Sequence, residues 1–138
     1  MKQVNKITLS IQSNKTNISI AEKSVMAFLQ SYLSERDAAD MICAVSEAIN
    51  NCFDHAYENE AGIITLTMQA YDTNRVRITS GDKGRGIPDI NRARAPLYSS
   101  LPNEHHCGMG ITVMESFSDE ITIKSAVGRG TVVTLTKG

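Results

Sequence analysis

The spacing of apolar residues changes near Gly62, and this change limits the fold more than any other feature of the sequence. Before Gly62, long segments carry apolar residues at every third or fourth position, as on one face of an α-helix. After it, apolar and polar residues alternate, as in a half-buried β-strand. Separate runs of helices and strands predict an α+β domain, with helices gathered on one face of a mostly antiparallel sheet.

The same periodicities place the individual elements. Ser34 and Asp37 have the spacing of a capping box, which predicts that a second helix begins there. The predicted elements, in chain order, are a strand at 7–11, a helix at 20–33, a helix from Ser34 to about 53, a hairpin over 64–78, a long loop at 82–107, a helix at 110–117 and a hairpin over 121–136.

Size and charge exclude several classes of protein. The 138 residues fit one domain, taken as 1–138, and a net charge of −1 provides no broad electrostatic footprint for nucleic acid or an anionic membrane. Neither a membrane-spanning stretch nor a secretory signal is recognisable. The three cysteines share no CxxC spacing. We therefore expect a cytoplasmic protein that does not bind nucleic acid or membrane directly.

A polar stripe runs along the second predicted helix. Glu47, Asn51 and His55 lie four residues apart, so each is rotated by about 40° from the last. A carboxylate, an amide and an imidazole can orient a nucleophile, hold a hard cation and contact a phosphate. The alternative interpretation is a solvated helix face, and Val45 and Ile49 are expected to point the opposite way, into the core.

Six of the nine glycines form three G-x-G pairs, at 84/86, 108/110 and 128/130. Turn chemistry explains a single pair, and it is the favoured interpretation of the third. The second pair opens a predicted helix, where exposed N–H groups favour phosphate. The sequence contains no Walker A loop, HExxH motif or G-x-S-x-G elbow.

Together these motifs resemble the GHKL superfamily of ATPases and kinases. Glu47-x-x-x-Asn51 resembles its N box, residues 82–87 its first glycine box, Gly108-Met109-Gly110 its second and Gly130-Thr131 its third. The resemblance extends from about residue 5 over nearly the whole chain. It is closest to the small anti-sigma factor serine kinases, above all their sporulation branch. It implies the Bergerat ATP-binding fold, with residues 92–107 as the ATP lid.

The resemblance also implies a role for each matched position. Glu47 would be the general base that takes a proton from a serine hydroxyl, and Asn51 would hold Mg²⁺. Asp82 would accept a hydrogen bond from the adenine amino group of ATP or ADP. The remaining nucleotide-binding positions would be His55, Gly84, Gly86, Ile87, His106, Gly108, Met109, Gly110 and Thr131.

The implied partners are proteins. Members of this family inhibit a sigma factor and phosphorylate the anti-anti-sigma factor, a STAS-type protein, that would release it. A homodimer is implied as well. Two alternatives remain open: a nucleotide-gated protein-binding module with little or no kinase activity, and the general-stress branch of the same family.

Two positions depart from the family pattern. His106 occupies a position where relatives usually carry an arginine that reaches the γ-phosphate, and no Lys or Arg lies between Arg94 and Lys124. Phosphoryl transfer needs positive charge at that point, so His106→Arg is expected to raise the rate. The second departure is Glu22, aligned with an arginine used in partner contact, where reversed charge would repel an acidic partner. The alternative is that the adjacent Lys23 takes this position, in which case the positive charge is kept.

Overall fold

A computed structural model describes residues 1–53, 62–83, 110–126 and 130–138. Within these residues, helices cover one face of a five-stranded sheet. The elements are β1 (Gln3–Gln12), α1 (Lys15–Tyr32), α2 (Glu35–Asn51), β2 (Ile63–Tyr71), β3 (Val76–Asp82), α3 (Gly110–Phe117), β4 (Glu120–Ala126) and β5 (Gly130–Lys137). The predicted α+β class and the predicted order of helices and strands are confirmed. The predicted loop at 82–107 begins later than expected, since Asp82 is the last residue of β3, and from residue 84 onward it lies outside the described residues.

The sheet has the strand order β1-β2-β3-β5-β4, and every neighbouring pair is antiparallel. Both predicted hairpins are present, as β2–β3 and β4–β5. The second hairpin joins the sheet through β5, which pairs with the central strand β3. This pairing places Thr131 directly opposite Asp82, although the two residues are 49 positions apart in sequence, with α3 and β4 between them.

The helix starts are defined by polar caps. Helix α2 begins as predicted, because the Ser34 hydroxyl accepts a hydrogen bond from the Asp37 backbone N–H at 3.1 Å. Helix α1 begins at Lys15, five residues earlier than predicted, where the Asn14 side chain accepts from the Asn17 N–H at 2.8 Å. The first three residues of α1 are polar, and only Ile18, buried three residues before Ala21, extends its apolar face toward the start.

The hydrophobic core lies between the helices and the sheet. Val45 and Ile49 of α2 are fully buried in it, as predicted, and α3 contributes Ile111 and Met114. The other face of α2 carries polar residues, and these lie near the start of α3. In the described ranges, no helix is both long and apolar enough to cross a membrane.

Candidate functional site

The polar stripe of α2 meets the first residue of α3. A Cβ atom built on Gly110 would lie 3.2 Å from Asn51 Nδ2 and 3.3 Å from both Asn51 Oδ1 and Glu47 Oε2. Both polar side chains belong to half-buried residues, and Glu47 Oε2 is a buried atom. This part of the stripe is therefore packed against α3, and it is not a fully solvated helix face.

The N-terminus of α3 adds partial positive charge to this cluster. The first backbone N–H groups of a helix have no partner within the helix, and the helix dipole favours negative charge beside them. Gly110 is the first residue of α3, and its lack of a side chain allows the helix to approach Glu47 and Asn51. The cluster thus combines oxygen ligands suited to a hard cation with a helix end suited to an anion.

A second polar cluster surrounds Asp82 at the end of β3. This residue continues the buried side of the strand after Val76, Ile78 and Ser80, and it is only 8% exposed. Its Oδ1 accepts a hydrogen bond from the Thr131 backbone N–H at 3.2 Å. A carboxylate at the end of an otherwise apolar stripe is costly to bury, so it needs hydrogen-bond donors of this kind.

Gly130 allows β5 to approach β3 closely beside Asp82. Its φ is +102°, and a Cβ atom there would lie only 2.1 Å from the Asp82 carbonyl oxygen. Next to it, the Thr131 hydroxyl lies 2.9 Å from the Ser125 hydroxyl, which donates to the Gly130 carbonyl at 3.1 Å. For Gly130, backbone conformation and close packing account for the glycine, in agreement with the favoured interpretation of this pair.

Cys52 connects α2 to the Asp82 cluster. Its thiol donates to Asp82 Oδ2 at 3.2 Å and lies 3.7 Å from the Ser80 hydroxyl. Burial, reinforced by the negative charge of Asp82, raises the pKa of the Cys52 thiol well above its usual range. Neither Cys52 nor Ser80 was among the residues predicted for the site. Ser80 was recognisable because it shares the buried face of β3 with Asp82.

The remaining predicted positions lie outside the described residues. These are His55, Gly84, Gly86, Ile87, His106, Gly108, Met109 and the lid at 92–107.

Glu22, the second departure from the family pattern, is a residue of α1 whose side chain is linked to α2. It accepts a hydrogen bond from the Ser46 hydroxyl at 2.6 Å. The Glu22 carboxylate therefore helps to hold α1 against α2, and its partner Ser46 directly precedes Glu47 in the sequence.

Comparison with known proteins identifies the family of the domain. The family model named histidine kinase-like ATPase domain matches residues 11–137. The anti-sigma F factor of Caldanaerobacter subterraneus subsp. tengcongensis is 41% identical over 138 residues, which is 99% of this chain and 96% of that protein. The anti-sigma F factor of Clostridium acetobutylicum is 40% identical over 136 residues, with 96% and 93% coverage.

The fold also resembles solved structures. The RsbU and RsbW domains of a Mycobacterium tuberculosis protein superpose with a TM-score of 0.70 at 18% identity. The match covers 97% of this chain and 32% of that one. At this identity the likeness concerns the fold alone.

Proposed function

The chain belongs to the histidine kinase-like ATPase domain family, among relatives named anti-sigma F factor, and from this premise we propose that it inhibits a sporulation-type sigma factor. It also uses Mg·ATP to phosphorylate a serine of its antagonist, a STAS-type anti-anti-sigma factor. It acts in the cytoplasm as a homodimer. The observation that carries the enzymatic part is the contact of Gly110 with Glu47 and Asn51, because it joins a base and a metal ligand to a helix N-terminus.

Recognition of adenine rests on Asp82. An ionised carboxylate only accepts hydrogen bonds, so it suits the exocyclic amino group of adenine and opposes the carbonyl at the equivalent position of guanine. Asp82 is buried and held by donors from two elements, which supports such a fixed acceptor.

Mg²⁺ fits the donor set beside α3. This cation binds through one or two protein oxygens together with substrate phosphates, and Asn51 Oδ1 and Glu47 Oε2 both lie within reach of the same helix N-terminus. Asn51 would hold the ion, which when bound supplies neutralisation of the phosphate charge. The first N–H groups of α3 would accept the negatively charged end of the nucleotide.

Glu47 is the general base in this proposal. Its carboxylate takes the proton from the substrate serine as the serine oxygen attacks the γ-phosphorus, and ADP leaves. Packing of Glu47 against Gly110 limits the orientations that the carboxylate can adopt. Since phosphoryl transfer depends mainly on positioning and electrostatics, a held base supports the assignment.

One observation favours a second candidate, a nucleotide-gated binding module with little kinase activity. The chain has no Lys or Arg between Arg94 and Lys124, so the expected lid at 92–107 carries Lys or Arg only at its start, at Arg92 and Arg94. In that case ATP would control partner binding without efficient transfer. A kinase assay on the cognate antagonist separates the two, and His106→Arg should raise the rate if charge at the γ-phosphate limits it.

The nucleotide site is tested by thermal unfolding with and without Mg·ATP. Ligand at 100 times its Kd adds roughly 2.7 kcal/mol, which raises Tm by several degrees in a domain of this size. We expect this shift in the wild type and its loss in Asp82→Asn. Absence of a shift in the wild type would refute the nucleotide site.

The kinase step needs a separate variant. Glu47→Gln should keep the thermal shift and lose phosphorylation of the antagonist by at least 100-fold, because general-base catalysis contributes about 10²–10⁴-fold. Wild-type phosphorylation by this variant would refute the role of Glu47.

A further inference from the structure

We propose that Cys52 is a positioning residue for nucleotide recognition, and that its thiol orients the Asp82 carboxylate toward the amino group of adenine. This inference rests on the proposed function, since it assumes that Asp82 receives that amino group. It assigns a role to a buried side chain that the proposed mechanism does not use.

The geometry places one donor on each oxygen of Asp82. The Thr131 backbone N–H reaches Oδ1 and the Cys52 thiol reaches Oδ2, both at 3.2 Å. The terminal torsion of an aspartate is broad, so a single donor leaves the carboxylate plane free to turn about that bond. Two donors from opposite sides, one on β5 and one on α2, fix the plane.

Cys52 is itself well held. It is the C-cap residue of α2, and its backbone N–H donates to the carbonyls of Ala48 and Ile49. Its side chain is 5% exposed, beside the buried Ser80 hydroxyl at 3.7 Å. A thiol in this place remains protonated, so it acts as a donor and adds no negative charge next to Asp82.

The adenine amino group needs one further acceptor site on Asp82. A carboxylate offers about four lone-pair sites, and the two donors from Thr131 and Cys52 occupy one site on each oxygen. Both of these donors belong to the protein and are present before the nucleotide arrives. Adenine therefore meets an acceptor that is already oriented, which lowers the cost of binding.

The test compares ATP with inosine triphosphate (ITP), which carries a carbonyl in place of the adenine amino group. Both Kd values are measured on the full chain for the wild type, for Cys52→Ala and for Cys43→Ala, the matched control at an exposed cysteine of the same helix. We expect Cys52→Ala to raise the Kd for ATP about fivefold. Loss of a hydrogen bond to a charged group costs roughly tenfold or more in full, and only part of that cost should appear in the binding of ATP. Affinity for ITP should stay unchanged, and Cys43→Ala should bind both nucleotides as the wild type does.

The outcomes separate this inference from the function beneath it. If Cys52→Ala loses affinity for ATP and ITP equally, the role of Cys52 is merely structural and the inference is overturned. The same holds if the variant prefers ATP over ITP as strongly as the wild type does. Cys52→Ser keeps a donor and should retain more of the preference than Cys52→Ala does, and an equal loss in both variants would also overturn it. If Cys52→Ala does not fold, Cys52→Val removes the donor while filling the space and is judged by the same criteria. A wild type without preference for ATP over ITP would refute adenine recognition by Asp82 itself.

Discussion

Replacement of Gly110 by alanine tests whether the start of α3 and the polar stripe of α2 depend on each other. The added methyl carbon would lie 3.2–3.3 Å from atoms of Asn51 and Glu47. Non-bonded heavy atoms attract each other best at about 3.5 Å or slightly more, so the neighbouring side chains must move away by roughly 0.2–0.3 Å. The residues that move are the proposed metal ligand and the proposed base.

The expected loss of activity follows from this displacement. A misplacement of about 1 Å can cost about 100-fold in rate, and linear scaling of its free energy gives roughly fourfold for about 0.3 Å. Stability should change little, because Asn51 and Glu47 are half-buried and the added methyl group requires them to shift by only a few tenths of an ångström. Gly110→Ala should therefore reduce phosphotransfer while its Tm stays near that of the wild type.

The assay is phosphorylation of the cognate anti-anti-sigma factor at saturating Mg·ATP, with Tm measured on the same preparations. Gly81→Ala is the matched control, since a Cβ atom there would lie at an ordinary 3.9 Å from its nearest neighbours, the Thr65 carbonyl oxygen and a Val132 methyl group. It should retain wild-type activity. If Gly110→Ala also phosphorylates at the wild-type rate, the close contact does not position Glu47 and Asn51, and the reasoning is wrong.

Three further predictions concern other parts of the structure. Gly130→Ala should lower the free energy of unfolding in urea by at least about 2 kcal/mol, because the residue has a positive φ and no room for a Cβ against β3; a loss below about 0.5 kcal/mol would contradict this. Iodoacetamide at pH 8 should modify exposed Cys43 and spare Cys52, since burial raises the pKa of the Cys52 thiol. Peptide mass mapping measures both modifications, and faster modification of Cys52 would contradict the prediction. Glu22→Arg should cost about 1 kcal/mol of stability through loss of the Ser46 hydrogen bond, yet raise affinity for the cognate sigma factor; unchanged or weaker binding in a titration would remove Glu22 as the source of partner repulsion.

Much of the fold could be predicted from local periodicity. The cap at Ser34 and the burial of Val45 and Ile49 were predicted from residue spacing, because helix and strand periods depend on neighbours in sequence. The start of α1 was missed by five residues because its first three residues are polar and only Ile18 continues the apolar face beyond Ile20. Within the site, the four-residue spacing of Glu47 and Asn51 predicted their shared face, and Gly110 was predicted to open a helix.

The sequence by itself determined which residues could share a face of one element, and thus the polar stripe of α2 and the buried side of β3. The family resemblance assigned Asp82 and Thr131 to one nucleotide site, but residue spacing carried no signal for the hydrogen bonds among Cys52, Asp82 and Thr131, which span 30 and 49 residues. Those contacts depend on the pairing of β5 with β3 and on the packing of the C-terminal end of α2 over that strand. Strand register and helix packing are set by burial and hydrogen bonding across the whole domain, so only the tertiary structure could decide which donors reach the Asp82 carboxylate.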